Sequence, residues 1–417
     1  MYIERILKVP LYNLEEKDFM EFHGFEREDG SVGVRNYVII LPTVVCSNQV
    51  SINIERKVDG VIALPHQFGC GHVENDYQHF LRSISGLGKN PNVYSVLIIG
   101  LGCESFSADT LAKEIEKSSK RVEFLNIQDQ GTIETTNKGI ELAKEMVKES
   151  EKLKRKSVDL SNLILGTECG SSDPTSGIAA NPALGVAADM IVKAGGTVIL
   201  PEFIEWIGTE HILARRAVNE DVAKQIKEPI KLFLNTAKSM GYDFKKISLM
   251  APGNIKGGLS TIEEKALGTI CKGGNSSIQG VLRYAEKPPS RGLYLMFEPG
   301  IDVESMTGMA SAGAHIIVFT TGMGSPTGNP VCPVIRVTGN PHTYKKMKDN
   351  IDIDASSILT RGESIETVGK QIFNEIIEVA NGKITIAEQL GHHELAFFRP
   401  PMAGFLPTVQ QQVSKYF

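Results

Sequence analysis

Residues 96–104 read Val-Leu-Ile-Ile-Gly-Leu-Gly-Cys-Glu, an apolar run that ends in a glycine-rich turn carrying Cys103 and Glu104. Short runs rich in Val, Ile and Leu and bounded by Gly or Pro are typical of buried strands. Three further runs have the same form, and each leads to a turn with a cysteine: 37–45 to Cys46, 61–64 to Cys70, and 163–167 to Cys169. Helical stretches separate these runs. The pattern predicts an α/β fold with two α/β domains and mainly parallel sheets.

The four strand-end cysteines predict a shared site. Carboxyl ends of parallel strands meet at one edge of a sheet, and ligands bind in the crevice beyond that edge. We therefore expect Cys46, Cys70, Cys103 and Cys169, together with the polar side chains beside them, to line one crevice.

Composition limits the class of protein. The chain has 417 residues, a formal net charge of −5 and 41% hydrophobic residues, which is ordinary for a globular protein. The negative charge argues against nucleic acid as a partner. No apolar run approaches the roughly 20 residues of a membrane span, and the N-terminus does not resemble a signal peptide. Six cysteines are too few for a disulfide framework, so we expect a cytoplasmic protein with reduced thiols.

Changes in composition along the chain predict three regions. Residues 1–24 form a charged N-terminal arm, and residues 25–244 form a first α/β domain with the cysteine-bearing turns. Residues 245–417 form a second α/β domain, in which glycine clusters and proline pairs become frequent.

The cysteine turns carry candidate catalytic and metal-binding groups. Residues 65–72 read Pro-His-Gln-Phe-Gly-Cys-Gly-His, and His66 is a candidate general base because imidazole titrates near neutral pH. Mixed Cys, His and carboxylate side chains suit Fe²⁺ or Zn²⁺, although the chain lacks the Cys-x-x-Cys of zinc ribbons and ferredoxins. The alternative is that the strand-end cysteines are small apolar filler.

The turn at 168–177 reads Glu-Cys-Gly-Ser-Ser-Asp-Pro-Thr-Ser-Gly. Glu168 and Asp173 could move protons or bind a metal, and the hydroxyls of Ser171 and Ser172 could bind a polyhydroxylated ligand. The alternative is a capped turn before a helix, with Ser172 or Asp173 as the N-cap.

Two turns in the second half of the chain are also polar. In the glycine-rich turn at 320–330, the backbone at Thr321 and Gly322 could cradle a carboxylate or phosphate, although a tight turn explains the glycines equally well. The turn at 298–304 holds three carboxylates, but acidic residues are common at helix starts because of the helix dipole.

Ordered motifs over nearly the whole chain carry a family resemblance. They are Gly-Phe-Glu-Arg-Glu-Asp-Gly-Ser-Val-Gly-Val-Arg-Asn at 24–36, Leu-Pro-His-Gln-Phe-Gly-Cys-Gly at 64–71, Gly-Leu-Gly-Cys-Glu at 100–104, Gly-Thr-Glu-Cys-Gly-Ser-Ser-Asp at 166–173, Pro-Gly-Asn-Ile-Lys-Gly-Gly-Leu-Ser-Thr-Ile-Glu-Glu-Lys at 252–265, the turn at 322–330, and Val-Thr-Gly-Asn-Pro at 337–341. In these segments the chain resembles the altronate dehydratase and galactarate dehydratase family, whose members eliminate water from sugar acids.

The resemblance implies a hydro-lyase that depends on a divalent metal, Fe²⁺ first and Mn²⁺ as the second possibility. Arg35 could bind the substrate carboxylate through its bidentate fork. The site hypothesis is as follows: catalytic His66, Glu104, Glu168 and Asp173; metal-binding Cys70, Cys103 and Cys169; substrate-binding Arg35, Ser171, Ser172, Thr321 and Gly322.

One departure from the family pattern bears on partners. Full-length members carry a small N-terminal domain of the SAF type, and the stretch before Gly24 is too short to hold it. We therefore expect the large subunit of a split enzyme, with a small SAF-domain subunit on a separate chain, and we expect a homo-oligomer. Two alternatives stay open: the large subunit of a sulfolactate sulfo-lyase, and a non-catalytic scaffold that binds sugar acids.

Overall fold

Three β-sheets and their covering helices form the part of the chain that the computed structural model describes, residues 21–72, 74–239, 241, 250–298 and 300–399. The strands are β1 (Glu21–Glu26), β2 (Val32–Gly33), β3 (Tyr37–Pro42), β4 (Val61–Ala63), β5 (Val93–Gly100), β6 (Arg121–Asn126), β7 (Lys156–Asp159), β8 (Ile164–Gly170), β9 (Thr197–Leu200), β10 (Ile278–Leu282), β11 (Gly292–Met296), β12 (Ile316–Thr321), β13 (Val334–Thr338) and β14 (Ile353–Asp354). The helices are α1 (Asn48–Glu55), α2 (Glu74–Lys89), α3 (Ala108–Glu116), α4 (Ile127–Ser150), α5 (Asn181–Lys193), α6 (Glu210–Arg215), α7 (Glu220–Ser239), α8 (Pro252–Gly257), α9 (Ile262–Thr269), α10 (Asp302–Ser311), α11 (Pro341–Lys346), α12 (Ser357–Thr360), α13 (Ile365–Ala380) and α14 (Ile386–Gln389). Alternating helices and parallel strands confirm the predicted α/β class. In the described ranges, no helix is both long and apolar enough to cross a membrane.

The larger sheet is parallel and has seven strands in the order β10-β11-β9-β8-β12-β13-β14. From β8 the chain moves to β9 on one side, and from β12 it moves to β13 on the other side. Because β8 and β12 are neighbours, the gap beyond their carboxyl ends is a topological switch point, the usual position of a ligand in such sheets.

The smaller parallel sheet has four strands in the order β4-β3-β5-β6, with a second switch point between β3 and β5. A small antiparallel sheet, β2-β1-β7, lies at the start of the described chain. The predicted N-terminal arm falls mostly outside the described residues, and its last residues, from Glu21, belong to β1.

The structure differs from the predicted boundary at residue 244. The seven-stranded sheet takes β8 and β9 from before that residue and β10 to β14 from after it. The change in glycine and proline content near 245 therefore marks a stretch within one sheet. The reason is that composition reports local turn chemistry, whereas sheet membership is set by pairing between strands far apart in the chain.

The two parallel sheets share a core and open toward the same side. Apolar residues of both sheets, such as Ile39 and Phe319, belong to one buried cluster. Between the sheets, α2 and α10 run side by side. Tyr284 stacks on His79 near the start of α2 and donates a 2.8 Å hydrogen bond to the carbonyl of Glu304 near the start of α10. Gly86, near the end of α2, faces the carbonyl of the last α10 residue. The helices are therefore parallel, so the strand ends that precede them lie at the same side.

Candidate functional site

Buried charged groups collect at the carboxyl edge of the seven-stranded sheet. Glu168 and Cys169 end β8, two glutamates follow β9, two acidic residues follow β11, and two lysines come from α9 and the 3₁₀ turn after it. We call this group the carboxylate pocket, and its members are Glu168, Cys169, Glu202, Glu205, Lys265, Lys272, Glu298 and Asp302. It contains five carboxyl groups and two ammonium groups at the predicted edge.

Two ion pairs hold the pocket. Lys265 Nζ lies 2.5 Å from Glu205 Oε1, and Lys272 pairs with Glu202 in full burial. The thiol of Cys169 lies 3.5 Å from Glu205 Oε2 and 3.8 Å from Glu202 Oε1. Buried ion pairs contribute little net stability, because desolvation offsets attraction, so their presence points to a role other than stabilisation.

Glu168 has the most unusual surroundings in the pocket. Its side chain is fully buried, and neither carboxyl oxygen meets a hydrogen-bond donor among the described residues. Its near neighbour is the carboxyl of Glu202, within reach for a shared proton. Burial, reinforced by the charge of Glu202, raises the pKa of Glu168 well above its ordinary value. A buried carboxyl without a donor partner is costly, which makes Glu168 a candidate functional group.

The pKa values of the other carboxyls in the pocket differ because their neighbours differ. Burial raises the pKa of Glu202 to about 7, that of Glu298 to about 8 and that of Asp302 to about 6. Burial opposes ionisation of Glu205 as well, but Lys265 and Lys272 nearby lower its pKa. The pocket therefore combines ionised and protonated carboxyls near neutral pH, which is the combination that acid–base chemistry needs.

The backbone around the pocket is strained at two positions. Ser171 and Glu202 have positive φ angles of 50° and 74°, a left-handed conformation that is uncommon outside glycine. Such conformations cost about 1–3 kcal/mol each and collect at functional sites. A π-helical turn at Ser176–Ala180 also follows the Ser171 loop.

Three members of the pocket can hold a divalent metal ion. Cys169 Sγ and carboxylate oxygens of Glu202 and Glu205 lie within 4.8 Å of one another. A set of one sulfur and two oxygens suits Fe²⁺ or Zn²⁺ better than Mg²⁺ or Ca²⁺. The residues therefore fit the metal that the sequence predicted, and of its three predicted cysteine ligands this group contains Cys169. The thiols of Cys70 and Cys103 are exposed at the edge of the four-stranded sheet.

The two predicted substrate loops meet beside the pocket, across the switch point. The backbone N–H of Met323 donates to the carbonyl of Ser171 at 2.9 Å. Ser172 Oγ lies 3.5 Å from Cys169 Sγ. Thr321 is buried, and its hydroxyl accepts the N–H of Gly324. The structure thus brings Ser171, Ser172 and Thr321 to the edge that the sequence predicted.

Asp173 joins the Ser171 loop to the turn after β13 and packs against Gly322 of the second loop. Its Oδ1 accepts the N–H and hydroxyl of Thr175, as in a capped turn, and its Oδ2 accepts Asn340 Nδ2 at 2.8 Å. A Cβ placed on Gly322 would lie only 2.4 Å from Asp173 Cγ, so glycine is required there.

Replacing Gly322 with alanine is therefore expected to lower stability by about 1–3 kcal/mol and to raise KM, because Asp173 must move away. Thermal unfolding and steady-state kinetics measure both effects. Gly253→Ala is the matched control, since the nearest atom to its Cβ is Met323 Cε at 3.4 Å. Equal behaviour of the two variants would contradict this role for Gly322.

Glu104 lies at the second switch point, on the four-stranded sheet. Its Oε1 accepts the hydroxyl of Thr43 at 2.6 Å, and its Oε2 accepts the N–H of Gly102 at 2.6 Å. It therefore ties the turn after β3 to the turn after β5, and among the described residues none of its hydrogen bonds reaches the carboxylate pocket.

His66 differs from its predicted role as a base, because both of its ring nitrogens are engaged by backbone. Nε2 lies 2.7 Å from the carbonyl of Pro42, and Nδ1 lies 3.2 Å from the N–H of Phe68. Burial lowers the pKa of His66 to about 4. The imidazole is thus neutral at pH 7 and fixes the shape of the 65–72 turn.

Arg35 also differs from its predicted role as a carboxylate partner of the substrate. It lies before β3, at the end of the sheet opposite the strand-end cysteines, and it forms a bidentate pair with Glu388 at 2.8 and 2.9 Å. Its remaining donors bind backbone carbonyls of Val34, Val379 and Lys383. No donor is left for a substrate.

Replacing Arg35 with lysine is therefore expected to lower stability by about 2 kcal/mol and to leave KM unchanged, because an ammonium cannot reproduce the fork. Chemical denaturation and substrate titration measure the two quantities. A rise in KM without loss of stability would instead support the substrate-binding role.

Sequence reasoning missed several pocket members, namely Glu202, Glu205, Lys265 and Lys272, and did not select Glu298 and Asp302. The signal for Glu202 was available, because it follows the apolar run 197–201 as Glu168 follows 163–167. The lysines gave no such signal, since nothing local predicts their burial.

Comparisons with known proteins identify the family. Residues 160–402 match the model described as D-galactarate/altronate dehydratase, C-terminal, and residues 24–151 match the one described as D-galactarate dehydratase/altronate hydrolase, second domain. The (2R)-sulfolactate sulfo-lyase subunit beta of Chromohalobacter salexigens is 36% identical over 91% of this chain and 97% of the relative. The altronate dehydratase of Bacillus subtilis is 35% identical over 91% of this chain and 77% of the relative, and the galactarate dehydratase (L-threo-forming) of Escherichia coli is 36% identical over 91% and 76%.

The protein has an α/β fold with the buried carboxylate pocket at a switch point, and its relatives include altronate and galactarate dehydratases. It is therefore an enzyme of the carbon–oxygen lyase class. The chain belongs to the D-galactarate/altronate dehydratase family. The two matched segments correspond to the four-stranded and seven-stranded sheets, and the first ends at residue 151, before β7.

Proposed function

We propose that this protein removes water from a sugar acid such as altronate and gives a 2-keto-3-deoxy acid. The observation that carries the proposal is Glu168, a buried carboxyl with no donor partner among the described residues, at the switch point beside Ser171 and Ser172. The relatives named as altronate and galactarate dehydratases supply the substrate class.

The reaction removes a proton α to a carboxylate and expels a hydroxyl from the β-carbon. We assign the proton removal to the ionised form of Glu168, whose raised pKa makes it a stronger base than an ordinary carboxylate, because His66 has no free ring nitrogen. Glu298 is the candidate acid for the leaving hydroxide, since burial raises its pKa to about 8 and its Oε1 has no hydrogen-bond partner among the described residues. The α-proton thus goes to Glu168, the electron pair forms the C–C double bond, and the leaving group departs as water; the enol product then tautomerises to the keto acid.

Charge that develops on the substrate carboxylate during proton removal needs positive partners. Lys265 is the better placed of the two pocket lysines, because its side chain keeps 14% exposure whereas that of Lys272 has none. Cys169, Glu202 and Glu205 would hold the divalent ion, Fe²⁺ or, as the second possibility, Mn²⁺. Such an ion would supply Lewis-acid polarisation of a substrate oxygen.

The test is a substrate screen of the full chain with and without a small SAF-domain subunit. Hexonates and hexarates are supplied with Fe²⁺ or Mn²⁺, and formation of 2-keto-3-deoxy acid is measured. Turnover of at least one of these sugar acids is expected. Binding of sugar acids without turnover, in the presence of the partner, would instead support a non-catalytic scaffold.

The sulfolactate relative supports a second candidate, because its length matches this chain almost completely. Loss of sulfite from sulfolactate also begins with removal of a proton α to a carboxylate, so the same pocket suits both reactions. The same screen distinguishes them when sulfolactate is added to it, since release of sulfite from sulfolactate without sugar-acid turnover would support this candidate. The word subunit in that relative's name also supports the proposal of a small partner chain. Size-exclusion chromatography with light scattering tests this partner and the proposed homo-oligomer together.

A further inference from the structure

Three cysteines are exposed at the carboxyl edge of the four-stranded sheet. Cys46, Cys70 and Cys103 follow β3, β4 and β5, which are adjacent strands in that sheet. Cysteine is among the most buried residue types in proteins, and Cys169 and Cys332 of this chain are buried. Packing of small apolar side chains in the interior therefore does not explain three exposed thiols on neighbouring strand ends. We call them the three-cysteine edge.

Hydrogen bonds tie the three turns into one surface. The N–H of Val45 donates to the carbonyl of Phe68 at 2.9 Å, which joins the turns of Cys46 and Cys70. The N–H of Ser105 donates to the carbonyl of Gly69 at 2.9 Å, which joins the turns of Cys70 and Cys103. Thr43 and Glu104 join the first turn to the third. Every one of these bonds lies within three residues of a cysteine, so the three cysteine turns form one connected surface.

Glycines with positive φ shape the edge beside the thiols. Gly69 precedes Cys70 with φ +109°, and a Cβ there would lie 2.2 Å from the carbonyl of Thr43. Gly102 precedes Cys103 with φ +121°, and a Cβ there would lie 2.6 Å from Gln128 Oε1. Only glycine permits these close approaches beside the thiols.

The three thiols are too widely spaced to share a single ion. Thiolates that share one tetrahedral ion at about 2.3 Å lie within about 4 Å of one another. Among the described residues, the three donor atoms that lie within 4.8 Å of one another belong to Cys169, Glu202 and Glu205. The three thiols of the edge therefore do not all lie within 4.8 Å of one another. An iron–sulfur cluster binds each thiolate through a different iron and so fits a wider set. We propose that Cys46, Cys70 and Cys103 bind a four-iron, four-sulfide cluster.

Three thiolates leave one iron of such a cluster without a cysteine ligand. That iron would be open to an oxygen ligand, and the three-cysteine edge lies on the same side of the molecule as the carboxylate pocket, because α2 and α10 are parallel. This use of the cluster rests on the proposed function: the open iron would act as a Lewis acid toward a hydroxyl or carboxylate oxygen of the substrate, with no change in oxidation state. The cluster itself does not depend on that use.

The test is reconstitution of the full chain with Fe²⁺ and sulfide without oxygen, followed by measurement of iron, acid-labile sulfide, visible absorption and electron paramagnetic resonance. About four irons and four sulfides per chain are expected. Cys46→Ser, Cys70→Ser and Cys103→Ser are each expected to lose most of the sulfide. Cys271→Ser is the matched control and should keep it, because Cys271 is half-buried away from this edge and its thiol donates to the carbonyl of Leu267. Iron without sulfide, or sulfide retained in all three variants, would overturn the proposal.

A second measurement uses the unchanged chain and does not depend on how the variants fold. Alkylation followed by mass spectrometry compares the chain before and after reconstitution. Protection of Cys46, Cys70 and Cys103 together is expected, and their continued reactivity in chains that contain the cluster would assign it elsewhere. A chain with the cluster but without turnover of any sugar acid would overturn the proposed function and leave the cluster standing. Turnover of a sugar acid by a chain that contains no sulfide would overturn the cluster and leave the proposed function standing.

Discussion

Glu168→Gln is expected to lower kcat by about 10²–10⁴-fold with little change in stability, because glutamine keeps the size of the side chain and removes the group that takes the substrate proton. The glutamine amide also brings N–H donors into a buried position where the Glu168 oxygens have no hydrogen-bond donor among the described residues. We therefore expect the fold to tolerate the substitution. Steady-state kinetics with the substrate found in the screen and thermal unfolding measure the two effects.

Glu114→Gln is the matched control for this prediction. Glu114 lies on α3 outside the pocket, is partly exposed and pairs with Lys89 at 2.8 Å. Exposed or partly exposed pairs contribute about 1 kcal/mol or less, so this variant should retain full activity. Full activity in Glu168→Gln would remove Glu168 from the mechanism, and the assignment of the carboxylate pocket would fail with it.

Lys272→Met is expected to destabilise the protein by about 3–5 kcal/mol and to abolish activity. The substitution removes a fully buried ammonium and leaves Glu202 without its ion-pair partner among neighbouring carboxyls. Methionine fills much of the same volume, so lost packing adds little. Chemical denaturation measures the stability, and a metal-supplemented assay measures the activity.

A second substitution separates the charge effect from other causes. Combining Lys272→Met with Glu202→Gln removes both partners, and it should recover part of the stability without restoring activity. Lys89→Met provides the comparison, because the Lys89–Glu114 pair is about 30% exposed and should cost no more than about 1 kcal/mol. Additive losses in the double variant would show that Lys272 and Glu202 do not act as a pair.

Local signals in the sequence were enough for the α/β class and for placing Glu168 and Cys169 at the carboxyl end of a strand. The apolar runs at 37–45, 96–102 and 163–167 coincide with β3, β5 and β8, because strand formation follows from short-range hydrophobic patterning and turn chemistry. The start of α3 is also determined locally, since the hydroxyl of the N-cap residue Ser107 accepts the N–H of Thr110. The motif segments likewise carried the family.

The roles of individual side chains were harder to predict, because a role depends on partners from distant parts of the chain. The Arg35 side chain could bind a substrate carboxylate, but its guanidinium already pairs with Glu388, which lies 353 positions away in the sequence. Glu202 and Lys272 lie 70 positions apart and become meaningful only as a buried pair. Such pairs are set by tertiary packing, and hydrophobic periodicity does not report them.

The cysteines show the same division. Sequence alone placed four of them at strand ends, because each follows a short apolar run, and it counted against an iron–sulfur cluster, because ferredoxin spacing is absent. Only the tertiary structure separated Cys169, buried among carboxylates on one sheet, from Cys46, Cys70 and Cys103, exposed together on another. The physical reason is that strand order in a parallel sheet is fixed by long crossover connections and shared packing, so residues distant in sequence become neighbours that no local spacing predicts.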